Sequence, residues 1–470
     1  MRVGLICSSL LLVSLGLFGC GGAGSAGSDA LSTGANGDGA SVREGASSAD
    51  SAVPGAGVES TVEETTEPEP TLVRYVSASG DDGGDGSEAA PWRTVANAVA
   101  NAQPGTKIVV GAGSYDGVTI DGVDGTADAP IVIAGAEGER PIFTSPIQVQ
   151  RAYWVFDGIE VASTEPSFSV RFTGAGAHDD VIKNSVVRDG TGAAGVSIDL
   201  EASKITVEGT EIFNISRGET DAHGIVVQPT VRDITLVGNE IHDNSGDSIQ
   251  CIGPGQDAVE GAPANGLVIE GNNLYTNREN AVDIKHCENV EVRGNVMHGF
   301  RKSATSNGEA IVVHLLASNV TIEGNDISDS SRGVVTGRGA QNVHVRRNVI
   351  HDLADEKTGV IFGEGAGFEA VHNTIVGADR GLRALEGSGA PVVRNNIFDG
   401  CTDSVDGEAN ADSNLFSGSP AAGTNPVEGD AQLDGEYAPA DGSPAVDAAS
   451  PGDDADTCGA GADMGAIENC

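Results

Sequence analysis

Seven short segments of this 470-residue chain gather residue types that can do chemistry at one recurring position. They are HGIVVQ at 223–228, DSIQCI at 247–252, NAVDIK at 280–285, EAIVVH at 309–314, RGVVTG at 332–337, TGVIFG at 358–363 and RGLRAL at 380–385. Aligned, they show two apolar columns, one from Ile225 to Leu382 and one from Val227 to Ala384, that alternate with polar positions. A strand turns successive side chains to opposite faces, so the apolar columns face inward and the others outward. One outer face then collects His223, Asp247, Gln250, Asp283, Lys285, Glu309 and His314 within about four strands, a span of ~15–20 Å at ~4.8 Å per strand. Arg338 follows the fifth segment. Carboxylates and imidazoles around one ammonium are the ingredients of proton transfer on a polar substrate. The bland alternative is an exposed sheet with scattered charge, in which Lys285 is salt-bridged to Asp283 or Asp247.

The elements that position this face are repeats. From about residue 181 the phrase apolar-x-Gly/Arg-Asn-x-Ile recurs as VIKNSV, TVEGTEI, TLVGNEI, VIEGNNL, EVRGNVM, TIEGNDI, HVRRNVI, EAVHNTI and VVRNNIF. Its Asn position falls at Asn184, Asn239, Asn272, Asn295, Asn325, Asn348, Asn373 and Asn395, with Thr210 as the substitute, at intervals of 22 to 33 residues. Periods of that length built from short alternating strands predict a β-solenoid. The recurring Asn predicts an inward ladder in which each amide bonds the next coil. The longest coils place extra residues at about 214–222, 254–266 and 299–308, which would wall the Lys285 face on both sides. His242, His298 and His351 each follow a repeat Asn by three residues, a stacked turn register rather than a ligand set.

Composition bounds the function. Lys plus Arg is 26 against 69 Asp plus Glu, a formal charge of −43 that excludes nucleic acid as a partner. About half of the excess lies at the ends, with nine acids against Arg43 in 20–71 and fifteen acids with no Lys or Arg in 400–470. Arg2, an apolar run from Leu5 to Phe18 and then Leu17-Phe18-Gly19-Cys20 predict an export signal over 1–19 and a lipid-bearing Cys20. Residues 20–71, rich in Gly, Ser and Glu, predict a solvated tether, so that the membrane is reached only through the lipid. Export permits disulfides, and Cys458 with Cys470 is the best-placed pair; Cys251 reads as inward and inert.

The stretch RYVSASGDDGGDGSEAAPWRTVANAVANAQPGTKIVVGAGSYDGVTI carries Trp92, Val95, Val99 and Ala102 at helical spacing between Pro91 and Pro104-Gly105. It resembles the opening of bacterial right-handed parallel β-helix proteins such as family-nine pectate lyases, where a short helix caps the solenoid. LDGEYAPADGSPAVDAASPG and DMGAIE resemble their closing segment. The resemblance implies an all-β right-handed parallel β-helix over 72–400 with its N-terminal capping helix, followed by an acidic closing segment over 401–470. It implies a secreted or surface-anchored monomer that acts on an acidic polysaccharide or other glycan.

In that family a strand Lys is the base that takes the proton α to a uronate carboxyl group, and calcium held by several Asp stabilises the developing charge. Lys285 falls where that Lys would be. Asp247 alone matches the calcium-binding Asp positions; His223, Gly246 and Gln250 stand at the others. His314 is a second acid/base candidate, and Arg301, Lys302 and Arg338 would neutralise a uronate carboxylate. His223, Gln250, Asp283 and Glu309 would bind substrate. The paired-Asp signatures of polygalacturonase-like hydrolases are missing, which favours a lyase or epimerase over hydrolysis. A passive glycan-binding or adhesive surface is the alternative reading of the same groove.

Overall fold

The computed structural model describes residues 69–252, 262–451 and 461–469. The export signal, Cys20, all but the last three residues of the tether, and both Cys458 and Cys470 lie outside the described residues.

Three parallel sheets run along the described chain. The first has 14 strands, from Leu72–Val76 to Asn410–Asp412; the second has 12, from Thr119–Ile120 to Asp403–Gly407; the third has 14, from Ser114–Tyr115 to Val427–Glu428. Each coil visits the first sheet, then the third, then the second, as in Ala264–Glu270, Asn273–Tyr275 and Val282–Lys285. The inward columns are Val and Ile with almost no exposure, for example Ile225, Ile249, Val282 and Ile311. Their branched side chains fill the narrow interior between sheets, which is why so aromatic-poor a sequence still closes a core.

The bend between the first and third sheets is set by two adjacent positions. The first takes a left-handed backbone, at Gly238, Gly271, Gly294 and Gly324 with φ from 61 to 63°. The second is the buried Asn. Asn272 shows the rung: its amide N–H and its Nδ2 each donate to Asn295 Oδ1 at 2.9 Å, and Nδ2 also donates to the Leu236 carbonyl at 3.0 Å. The ladder runs through Asn239, Asn272, Asn295, Asn325, Asn348, Asn373, Asn396 and Asn414. Two expected rungs are displaced by one residue. Asn184 and Asn395 occupy the left-handed position, at φ 50° and 56°, and the ladder position falls to Ser185 and Asn396. Asn tolerates that backbone almost as Gly does, so either half of the bend admits it.

The N-terminal helix spans Val95–Ala100, where Thr94 accepts a hydrogen bond from the Asn97 amide at 3.2 Å and buries Val95 and Ala98. Trp92 precedes it, buried, with its indole donating to the Gly84 carbonyl at 2.9 Å. At the other end the solenoid continues past the expected boundary at 400. Asp403–Gly407, Asn410–Asp412 and Leu415–Ser417 complete a further coil. The closing segment begins after it and forms a small separate core in which Ala431, Ala445 and Met464 pack on Ile397 and Leu415.

One buried acid is poorly matched to its surroundings. Asp180 is fully buried; its Oδ1 accepts the Trp154 amide at 2.8 Å and its Oδ2 has no partner. Burial, less the Trp154 bond and reinforced by Asp179 and Asp124, pushes its carboxyl up to about 8. The folded chain therefore keeps this proton at neutral pH while the unfolded chain has released it. The stability is fully present below the ordinary value of 3.8 and is lost as pH rises toward about 8. Asp180→Asn keeps the acceptor and removes the titration. The loss of melting temperature between about pH 5 and about pH 8 should therefore be smaller in the variant than in the wild type; an unchanged difference would contradict the assignment.

Candidate functional site

Val282–Lys285 and Glu309–His314 lie side by side in the second sheet, with Asp283 opposite Val312 and Lys285 opposite His314. Val282, Ile284, Ile311 and Val313 point into the core, so Asp283, Lys285, Val312 and His314 face outward. Asp283 joins its neighbours: Oδ2 lies 2.7 Å from Lys285 Nζ, and Oδ1 lies 2.9 Å from His314 Nε2. Burial alone would raise the Asp283 carboxyl, but the His314 hydrogen bond and the Lys285 charge outweigh it and hold the group below its ordinary value. A carboxylate only accepts, so His314 Nε2 carries a proton, and in the neutral imidazole the lone pair is then on Nδ1. Nδ1 has no hydrogen-bond partner among the described residues.

Lys285 does not meet the requirement for a resting base. Burial pulls its ammonium down, but the charge and hydrogen bond of Asp283, with Asp247 and Glu279 behind, raise it above the ordinary lysine value. It stands in the groove as a cation.

The groove around these residues has a volume of about 780 Å³ and is lined by Lys285, His314, Arg338, Asp283 and Glu309 from the sequence-derived set. Of the three insertions expected to wall it, 299–308 contributes Thr305, Ser306 and Asn307 and 214–222 contributes Asp221, while 254–261 lie outside the described residues. Ser306 Oγ donates to Asn280 Oδ1 at 2.9 Å and Asn307 Nδ2 to Glu309 Oε1 at 3.0 Å. Arg332 Nη1 lies 2.9 Å from Glu309 and also pairs with Glu356. Arg338 lines the groove with no ion pair among the described residues.

Several expected site residues are elsewhere. Arg301 pairs with Asp329 and Lys302 with Glu356, and neither lines the groove. His223, Asp247 and Gln250 are buried and do not line the groove; they are hydrogen-bonded to one another, and Asp247 and Gln250 also to Asn280 and Asp283. Sequence reading missed Glu279, Asp221 and Asn307, all groove-lining. They sit in turns, where strand alternation assigns no direction; for Glu279 the one signal was its place beside the polar column at Asn280.

The donor set does not fit a calcium ion. Asp247 is wholly buried, its Oδ1 accepts the Asn280 amide and Nδ2 at 3.0 and 2.8 Å, and its Oδ2 faces Gln250 Nε2 at 2.8 Å and His223 Nδ1 at 3.1 Å. Among the described residues no group of three or more His, Cys, Asp or Glu is arranged to hold a metal.

Cys251 is inward as expected but not inert: it is disulfide-bonded to Cys287. The bond ties the strand before Asp283 to the residue two past Lys285, bracing the floor of the groove from within the core. The histidine register also holds. Phe213, His242, Tyr275 and His298 stack on the outside of the third sheet with ring centres 4.7 to 5.1 Å apart.

Two family models match the chain: a Pel9A-like right-handed β-helix region over residues 74–245 and a right-handed β-helix region over 252–398. The chain is a right-handed parallel β-helix protein. Among solved structures it is similar to the catalytic unit of a GH87 α-1,3-glucanase from Streptomyces thermodiastaticus, at 15% identity and TM-score 0.53 over 74% of this chain and 65% of that one. It is similar to the PL6-family alginate lyase AlyGC at 14% identity and TM-score 0.51, over 73% of this chain and 53% of that one. Pectate lyase Pel9A matches at 18% identity and TM-score 0.47, over 86% and 98%. At these identities the likeness is one of fold. No curated protein matches the sequence.

Proposed function

We propose that the protein is an exported, carbohydrate-acting β-helix, held at a membrane surface through a lipid on Cys20. Its groove takes a uronate-bearing polysaccharide and removes the proton α to the carboxyl group. The observation that carries this reading is Asp283, which orients His314 through Nε2 and holds the Lys285 ammonium beside it. His314 Nδ1 accepts the proton, and Asp283 stabilises the imidazolium that forms. Lys285 and Arg338 face the carboxyl oxygens, where negative charge develops. The C–H electron pair then forms the ring double bond as the bond to the glycosidic oxygen breaks, and that oxygen leaves with the proton returned from the His314 imidazolium. That two of the solved β-helices are a glucanase and an alginate lyase supports a glycan as the substrate class. No step is routed through calcium.

Incubation with a panel of uronans should give ultraviolet-absorbing unsaturated chain ends, at rates that a chelator leaves unchanged. Binding of a glycan with no product across the panel would instead make the groove a passive adhesive surface.

A further inference from the structure

The floor of the groove is not uniformly polar. Downstream of Asp283 the same outward column continues as Val312 and Val335, in register with one another, and Leu315 lines the groove with them. Nothing in a sheet requires outward apolar residues beside a charged cluster, and here they sit in a concave surface that a substrate can cover.

The charges in the groove point the same way. Lys285 is matched by Asp283, and Arg332 by Glu309 and Glu356. Glu279 adds a further carboxyl to the lining, as does Asp221, which is paired with Arg278, leaving Arg338 as the one lining Lys or Arg without an ion pair among the described residues. The whole chain carries −43. A polyanion approaching this groove meets net repulsion, and the oxygens of Asp247 that would recruit a bridging cation are hydrogen-bonded within the protein.

We propose that the uronate taken at this site is esterified, so that the reacting sugar presents a neutral methyl-ester carbonyl to Arg338 and its methyl group to Val312, Val335 and Leu315. This rests on the reading of the groove as a uronan site and specifies its substrate. Esterification removes the charge that the acidic lining repels. It also makes the α proton easier to remove, because the electron pair moves onto a neutral carbonyl rather than an existing carboxylate. Arg338 then binds a neutral oxygen weakly in the ground state and an enolate oxygen strongly as charge develops, the difference that accelerates a reaction. The atoms balance without a co-reactant: the proton goes to His314, the C–H pair becomes the double bond, and the His314 imidazolium returns that proton to the glycosidic oxygen as it departs, with the ester intact.

The test uses one 4-linked uronan, highly methyl-esterified and after saponification, with the full-length protein. Unsaturated ends should form at least about 10-fold faster from the esterified polymer, the scale on which one methyl group and one matched pocket discriminate. In Val335→Asp the ratio of the two rates should fall toward one, with folding checked by the melting temperature. A rate on the saponified polymer equal to or above that on the ester overturns this inference and leaves the uronan reading standing. Absence of product from both polymers overturns both.

Discussion

His314→Ala should lower turnover by ~10²–10⁴-fold, the range for removing a positioned general base. His314 is the one imidazole among the described residues that line the groove, and with Nε2 bound to Asp283 its Nδ1 is the nitrogen left without a partner there. The side chain lies on the outer face, so the inward packing of Val313 is unaffected and the melting temperature should move little. Added imidazole should restore part of the rate, since the small base can occupy the space vacated beside Asp283. If the variant stays folded and retains wild-type turnover on the best substrate, His314 is not the base. Lys285 was the first residue the sequence suggested for that role. The Asp283 pairing at 2.7 Å favours its charged form and so removes the lone pair a base needs.

The second large effect is on stability. Asn295 Oδ1 accepts two hydrogen bonds from Asn272, and its Nδ2 donates to Asn325 Oδ1 and to the Ile269 and Arg293 carbonyls. Asn295→Ala leaves several buried donors and acceptors unmet at once. At ~1–3 kcal/mol for each such group, the loss should be on the order of 4 kcal/mol. Asn184→Ala is the control. Asn184 holds the same place in the repeated phrase, but its Nδ2 reaches only the exposed Asp157 at 2.9 Å. Its cost should be about 1 kcal/mol, chiefly from the left-handed backbone. Equal losses in chemical denaturation would mean that the two positions share one structural role and that the ladder does not carry the stack.

That contrast shows how far the sequence alone reaches. The recurring phrase identifies the coil and nearly every rung, because a buried Asn after a left-handed Gly leaves a two-residue mark. Where Asn fills the left-handed half instead, at Asn184 and Asn395, the mark is ambiguous by one residue. Strand alternation likewise finds Asp283, Lys285 and His314, because their direction follows from a period of two. It does not find the Cys251–Cys287 bond. Placing Cys287 against the core depends on the turn at His286, whose backbone is left-handed at φ 45°. Nor does it find that Arg301 and Lys302 pair with Asp329 and Glu356 rather than line the groove, since partners chosen within and between loops leave no periodic trace.

The chain ends left on a uronan after incubation with the wild-type protein report most directly on elimination in this groove. Mass spectrometry should find new ends one water lighter than hydrolysis would leave, formed by the wild type and nearly absent with His314→Ala. Hydrolytic ends, or a polymer that is bound and returned unchanged in mass, would contradict it.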